Sequence, residues 1–440
     1  MVKYLGLYEK IGILCVMKIL IVRTFASIIS STSYNVQEIG LAKAYVRAGH
    51  QADVVLYGGK EADHKIEIPV DGTDEEKYIN VYYLKSYGIY KNGFFPSLKK
   101  LAMQYDLIQV HEYDQISSWL YYTSRRFKKK VVIYHGLYYS DFNHGYNLKC
   151  KVFDNTFLRL KKNSDCLCFG KSRGAAEFLL SKGFKKAIPV GVGLDVSAWQ
   201  KAIQEGTVPE SGGAIAKLPC KEADGKRWFD YLYIGKLEPR RNTLFLLDLV
   251  DRLLKSHDDM RFILLGDGEE EYKAQCLEKA RDWIEKGRII YIEKCTQAEM
   301  PAIYGYADCM LFPSIYEIFG MVLMEAMYFN LPVITSDNGG ADTVYRDNEN
   351  AIVVLNRKKA ACLMNGIDIN ADGQGYKNWA AGPEDFDIEA WVAAAEKMYS
   401  DAEFRDRIKA NLEIDKEKLS WDYVAARFLD GFRENGYIEE

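Results

Sequence analysis

Between residues 311 and 340 the chain reads LFPSIYEIFGMVLMEAMYFNLPVITSDNGG. An apolar run ends at Pro313-Ser314, and a loop then carries Glu317. Phe319-Gly320 open an apolar helix bearing Glu325, and Pro332-Val333-Ile334 start the next strand. A helix rises about 12 Å over eight residues, so two acids at this spacing do not meet by themselves. Their placement still has a chemical use. The amides of Phe319, Gly320, Met321 and Val322 sit at the positive helix start, which attracts phosphate, and a carboxylate on either side accepts hydrogen bonds from hydroxyls. A nucleotide sugar has that layout: hexose hydroxyls, a diphosphate, ribose hydroxyls. The plainer reading is a strand–helix–strand unit with solvated acids.

Three further places carry usable chemistry. Gly235-Lys236-Leu237-Glu238-Pro239-Arg240-Arg241-Asn242 follows a strand directly. A leaving diphosphate needs positive charge at such a strand end, because negative charge accumulates there as the glycosidic bond breaks. Lys236 and Arg241 supply it, with Arg240 as a substitute for Arg241. Leu264-Leu265-Gly266-Asp267-Gly268 is a strand ending in a glycine turn, a pattern common to many α/β turns. His135 follows the strand Val131 to Tyr134, where an imidazole can bind a hydroxyl or stabilise charge. His111 ends the preceding strand and is a candidate for the acceptor side.

Together these residues resemble the E-x7-E signature of the family 4 glycosyltransferases. Their phrase runs roughly P-S-x-x-E-x-F-G-x-V-x-x-E-A-M-x-x-G-x-P-V, and Asn330 stands where that family has Gly. The resemblance is strong over 230–355, moderate over 128–199 and weak elsewhere. It implies the GT-B fold, α/β, with two Rossmann-like doubly wound parallel-sheet domains facing a central cleft. It implies a catalytic set of His135, Glu317, Lys236 and Arg241, with Glu317 on sugar hydroxyls, Glu325 on the ribose and His135 near the reacting carbon. It places the donor against Lys236, Arg241, Gly266, Glu317, Phe319, Gly320, Met321, Val322 and Glu325. Lys236 and Arg241 occupy the family's G-R-L-x-x-x-K-G positions with their types exchanged, which keeps both charges but moves the planar fork of Arg. The family's glycine-rich first loop is absent, since residues 27–36 read SIISSTSYNV.

The elements that must position these groups alternate throughout. Strands are expected at 18–22, 52–56, 80–84, 107–110, 131–134, 165–168 and 187–190, then at 230–234, 261–265, 289–292, 308–312, 332–335 and 351–354. A helix from Val36 to Ala48 stops at Gly49, and another runs from Glu269 to Ile284. The domain expectation is residues 1–199 (acceptor side, with 1–16 a suspected non-native extension), a connector or insertion at 200–228, and residues 229–418 (nucleotide-sugar side). Residues 419–440 form a helix, capped by Ser420, whose stripe of Trp421, Val424, Phe428 and Phe432 is expected to cross back to the first domain.

Composition narrows the alternatives. A chain of 440 residues with 48% hydrophobic content is globular and too long for one ordinary core. Its net charge of −4 conceals an asymmetry: residues 1–196 hold 28 Lys+Arg against 18 Asp+Glu, and the remainder holds 30 against 44. The basic half is suited to an anionic surface. Lys85, Tyr87, Tyr90, Lys91, Phe94, Phe95, Lys99 and Lys100 interleave bases with aromatics, and Arg125, Arg126 and Lys128 to Lys130 extend the patch if they share its face. Nine scattered cysteines without paired spacing read as buried thiols. Residues 11–29 are interrupted by Lys18 and Arg23, so no membrane span is expected there. Asp385-Phe386-Asp387 precedes a helical run and reads as a cap, not a metal site. Residues 368–373 mimic half an EF-hand loop, but Trp379 stands where its closing Glu belongs.

The resulting expectation is a retaining, metal-independent hexosyltransferase with no required cofactor. It would use a UDP- or GDP-sugar and a glycan or lipid-linked acceptor in cell-surface polysaccharide synthesis. It is placed in the cytoplasm, peripheral on the inner face of the membrane, with no nucleic-acid partner. A noncatalytic GT-B subunit and a sugar-nucleotide epimerase are the alternatives.

Overall fold

In the first half of the chain, eight β-rich runs line up as one twisted sheet whose central strands are almost wholly buried. A computed structural model describes residues 16–73, 75–140, 142–204, 213–223, 225–364 and 382–438. The EF-hand-like loop at 368–373 with Trp379, and residues 1–15, lie outside the described residues. The strands of this sheet are β1 (Lys18–Val22), β2 (Gln51–Tyr57), β3 (His64–Val70), β4 (Lys77–Leu84), β7 (Leu107–His111), β8 (Val131–His135), β9 (Cys168–Gly170) and β10 (Ala187–Pro189). Their spatial order is β10-β9-β8-β7-β1-β2-β4-β3. A separate hairpin pairs β5 (Tyr87–Ile89) with β6 (Asn92–Phe94). The second half forms a six-stranded sheet from β11 (Phe229–Ile234), β12 (Met260–Leu265), β13 (Ile289–Ile292), β14 (Cys309–Phe312), β15 (Val333–Ser336) and β16 (Ile352–Val354), in the order β13-β12-β11-β14-β15-β16.

Both orders reverse at a strand that leads its sheet, β1 in the first and β11 in the second. In open parallel sheets such a switch point leaves a crevice at the carboxyl ends of the two flanking strands, and ligands bind there. The crevice residues therefore come from the loops after β1 and β7 and from those after β11 and β14. Every donor-side candidate except Gly266 belongs to the loops after β11 and β14 or to the helix that follows.

Three strands, β3 and the β5–β6 pair, were not expected from the sequence. β3 pairs antiparallel with β4 at the sheet edge, and its residues His64, Lys65 and Glu67 are exposed. Charged edge residues and Pro69 hide a strand from hydrophobic periodicity while protecting the edge from further pairing. The β5–β6 turn needs left-handed backbone at Tyr90 and Lys91 (φ +49° and +65°), a turn made here without glycine. The strand expected at 165–168 begins at Cys168, because a turn joins the Cys166 amide to the Asn163 carbonyl. Asn330 takes the left-handed conformation, φ +55°, that permits Asn in place of Gly.

The helices that matter below are α1 (Gln37–Arg47), α2 (His144–Phe153), α3 (Arg173–Ser181), α4 (Met300–Tyr306), α5 (Met321–Tyr328), α6 (Ile388–Ser400) and α7 (Trp421–Glu434). The Ser420 hydroxyl caps α7 by accepting from the Tyr423 amide. Its buried stripe of Trp421, Val424, Phe428 and Phe432 packs on the first sheet and α1. The Phe428 ring lies 4.4 Å from Phe169 and 5.1 Å from Tyr134. Gly40 lets α1 approach, since a Cβ there would fall 2.3 Å from the Trp421 indole. Asp387 caps α6 through the Glu389 amide, and Asp385 accepts from the Gly382 amide.

Phe428 is fully buried at this junction. Phe428→Ala should cost about 3–5 kcal/mol, the range for a buried Phe that leaves a cavity. Urea unfolding followed by tryptophan fluorescence measures it. A loss below about 1 kcal/mol would mean that α7 is not a structural part of the first sheet's core.

Candidate active site

The loop after β11 and the loop after β14 are bound to each other by backbone and charge. The amide of Ile315 donates to the Arg240 carbonyl at 2.9 Å, and the Ser314 hydroxyl donates to Glu317 at 2.7 Å. Glu317 forms an ion pair with Arg241 and a second, at 3.2 Å, with Arg240. Arg241 also lies over the Phe312 ring, 5.1 Å from its centre. Lys236, by contrast, is exposed and has no acidic partner among the described residues. The structure therefore brings Arg240, Arg241 and Glu317 together, with Lys236 beyond them on the same loop.

Glycines set the spacing of these loops. A Cβ on Gly266 would fall 1.8 Å from the Gly235 carbonyl oxygen, so the turns after β11 and β12 touch backbone to backbone. Gly340 stands in the same relation to Phe319, and Gly339 approaches the Glu317 carbonyl. Gly320 precedes α5 with φ +76° and ψ +66°, a conformation that L residues reach only with strain. Helix α5 begins at Met321, so the first amides of Met321 and Val322 point toward the crevice side of the helix start. The Asn338-Gly339-Gly340 turn that buttresses this start was not singled out from the sequence, although an Asn-Gly-Gly after a strand is a recognisable turn signal.

Glu325 is buried on α5 and holds two tyrosines. Tyr304 of α4 donates to it at 2.8 Å, and Tyr34, from the glycine-free loop after β1, donates at 3.0 Å. Burial pushes the Glu325 carboxyl up, and the two hydroxyls partly oppose that shift. The neighbouring Asn35, left-handed at φ +48°, bonds the Gly193 carbonyl, the Asp195 amide and the Trp421 indole. The loop after β1 thus reaches both the second sheet's helix and α7.

On the first sheet the two histidines are wholly enclosed. His135 Nδ1 lies 2.5 Å from Glu112, and its ring stacks on Phe178 of α3. His111 Nδ1 lies 2.9 Å from Glu38 of α1. Neither imidazole is open to the crevice. Glu112, with φ +64° and no exposure, also accepts from Lys171 at 3.1 Å and from the Gly136 amide at 3.0 Å. Burial alone would raise the Glu112 pKa, but Lys171, His135 and the Gly136 amide hold it well below the carboxylate range. Burial likewise opposes the Lys171 ammonium, and Tyr138 and Glu112 hold its pKa above the usual amine value. For Glu38, burial is outweighed by His111 and Arg23, and the carboxyl sits at about 2. Sequence reading missed Glu38, Glu112 and Lys171; for Glu112 and Lys171 the usable signal was an ionisable residue at the carboxyl end of strands β7 and β9.

The lowered Glu112 pKa contributes stability that is fully present above the ordinary carboxylate value and is lost as pH falls below it toward the depressed folded-state value. The raised Lys171 pKa contributes stability below the ordinary amine value that is lost as pH rises. Lys171→Met should therefore cost about 3–5 kcal/mol at neutral pH, by leaving Glu112 buried without its main counter-charge. The gap from wild type should narrow as pH falls below neutral, because Glu112 in the variant, buried without Lys171, takes up a proton at a higher pH than it does in the wild type. Urea titrations across pH decide it, and a gap independent of pH would refute the pairing.

Residues 221–369 match the family described as Glycosyl transferases group 1. An uncharacterized glycosyltransferase of Methanocaldococcus jannaschii is 23% identical over 211 residues, 46% of this chain and 44% of that protein. The chain spans about half, or less, of the length of such curated relatives; O-antigen chain mannosyltransferase B of Escherichia coli is 33% identical over 125 residues, 27% of this chain and 32% of that protein. Among solved structures, a glycosyltransferase from Rickettsia africae superposes with a TM-score of 0.60 at 15% identity, covering 96% of this chain and 99% of that one. These likenesses show the architecture, the GT-B fold, and mark residues 221–369 of the second half as similar to the glycosyl transferases of group 1.

Proposed function

We propose that the protein is a retaining hexosyltransferase that moves a sugar from a nucleotide diphosphate to a hydroxyl of a glycan or lipid-linked acceptor. The observation that carries this reading is the Glu317–Arg241 pair at the carboxyl end of the second sheet, beside the start of α5. A solved relative in fold, from Anabaena, was crystallised in complex with UDP and glucose (TM-score 0.56, 16% identity, 94% of this chain and 98% of that one). The donor's diphosphate lies against Arg241, Lys236 and the α5 amides, which take up charge as the glycosidic C–O bond breaks. Glu317 accepts from the hexose hydroxyls while Arg241, with its several N–H donors, keeps one on Glu317 and turns others to phosphate. Glu325 meets the ribose hydroxyls by exchanging the Tyr34 hydroxyl for them. The C–O bond to the diphosphate breaks and the acceptor oxygen bonds the anomeric carbon on the same face of the sugar, while the departing phosphate oxygen takes the acceptor proton. No metal is required, because the cations and amides already serve the diphosphate.

A second reading, a noncatalytic GT-B subunit, draws support from the Tyr34 hydroxyl on Glu325 and from the enclosure of His135. Donor turnover separates the two. Lys236→Ala and Arg241→Ala should each lower turnover at least about a hundredfold in buffer containing EDTA. Arg241→Ala should be the more severe, because it also strips Glu317 of a counter-charge. Wild-type rates in both folded variants, or no turnover by the wild-type protein without Mg²⁺, would overturn the assignment.

The acceptor reading includes docking of the first domain on an anionic membrane from the crevice side. The β5–β6 hairpin exposes Tyr87, Ile89, Tyr90 and Phe94, whereas Phe95 is buried. Arg125 to Lys130 precede β8 and so lie at the amino ends of the parallel strands, whereas this hairpin follows β4 at their carboxyl ends; they do not enlarge the patch. Helix α2, which follows β8 at the same carboxyl end, and the helical residues that continue it to Leu160 expose Leu148, Val152 and Leu160 among Lys151, Arg159, Lys161 and Lys162. Each base near an anionic surface contributes about 1 kcal/mol. Among the described residues no helix is long and apolar enough to cross a membrane. Liposome flotation should recover the protein on anionic but not neutral vesicles, with Leu148→Glu and Leu160→Glu together reducing recovery. Equal recovery on both vesicle types would mean a soluble acceptor.

A further inference from the structure

The chain passes between its two sheets twice, at residues 190–199 and again where α7 begins. The two crossings are joined side by side, the Leu194 amide donating to the Leu419 carbonyl at 2.7 Å. Against this joint lies a cavity of about 230 Å³ that is separate from the Lys236–Arg241 loop. Val190 and Val192 from the first crossing, Phe319 and Met324 from the start of α5, and Leu419 and Val424 from the second crossing form an apolar floor. Arg346, Lys418 and Arg427 line it as well, with Asp415 as the one acid.

The charges do not cancel. Asp415 is buried and is shared between Arg346 at 2.7 Å and Lys418 at 2.6 Å, with Asn350 as a third donor at 2.8 Å. Arg346 also pairs with Glu349, outside the cavity lining, at 2.5 Å. Arg427, half-buried on α7, has no acidic partner among the described residues. Three cations against one carboxylate leave the lining positive, and an Arg fork is matched to a phosphate's oxygens. The volume is below the roughly 300–1,000 Å³ of clefts that take drug-sized ligands, so the occupant is small. An apolar floor under a cationic rim suits a compact ring bearing one phosphate.

We propose that this cavity binds a phosphorylated monosaccharide as an effector, distinct from both donor and acceptor. The ligand's phosphate meets Arg427 and Lys418, and its ring lies over Val190, Val192 and Phe319. Because the cavity wall is made of both chain crossings and of the residue that leads into α5, an occupant stabilises one angle between the sheets. Binding there is coupled to the donor crevice by the differential affinity of the ligand for that angle, and the coupling is reciprocal.

Calorimetry on the full chain with glucose 6-phosphate as the probe, in the presence and absence of saturating UDP, tests the site. Inorganic phosphate in a parallel titration distinguishes recognition of the phosphate alone from recognition of the sugar phosphate. The expected result is one site per chain that remains available with UDP present. Arg427→Gln, which should keep the wild-type melting temperature, and Lys418→Gln, which should remain folded with Asp415 still held by Arg346 and Asn350, should each weaken the probe at least tenfold. Absence of binding to the wild-type protein, displacement of the probe by UDP, or equal affinity in wild type and both variants would each overturn the proposal. The UDP titration alone reports on the donor crevice, so failure there is read separately from failure at the cavity.

Discussion

The second half of the molecule is organised around one carboxylate. Glu317 is nearly buried and answers to two arginines and a serine, all from the loops at the switch point between β11 and β14. Removing one side of such a pair leaves an uncompensated charge away from water, so these two loops are held as a single unit. The pair also ties the group suited to sugar hydroxyls to the groups suited to phosphate. A ligand that engages one side of the pair must reorganise the other, and this links sugar and diphosphate recognition through electrostatics before any chain movement.

The two halves build their crevice walls by different means. On the second sheet, backbone lies against backbone at Gly235 and Gly266 and again at Phe319 and Gly340, where any side chain would collide. On the first sheet, the strand ends are filled by the buried Glu112, His135 and Lys171 network and by Glu38 with His111. The glycine wall leaves room for a ligand to approach amides closely. The ionic wall instead consumes its polar groups internally, and it stays in place because every charge has a partner.

Helix α7 keeps the two walls in register. Its apolar stripe enters the core of the first sheet while its start remains bonded to the chain crossing at Leu194, and Asn35 ties the loop after β1 to the same place. The loop that lacks glycine thus has a different use from the one its position suggested. Asn35 supplies the left-handed turn, and Tyr34 extends from it to Glu325.

Much of this was legible in the linear chain. Strands buried on both faces announce themselves as apolar runs, and all six strands of the second sheet fall within a residue or two of their expected places. The phrase from Pro313 to Val333 carried the helix start, both carboxylates and the turn at Asn330, because those depend on residues near one another in sequence. The edge strand β3 escaped notice because its outward face is charged, and periodicity registers burial, not hydrogen bonding. What the order of residues could not determine is which charges meet. Glu317 finds Arg241 from 76 positions away, Glu325 finds Tyr34 from the other half of the chain, and Glu112 pairs with the buried His135. Sequence by itself determined the elements and the groups available at their ends. Only the tertiary structure decided their partners, because Coulombic and hydrogen-bond energies depend on distance and burial, and both are set by how the sheets pack.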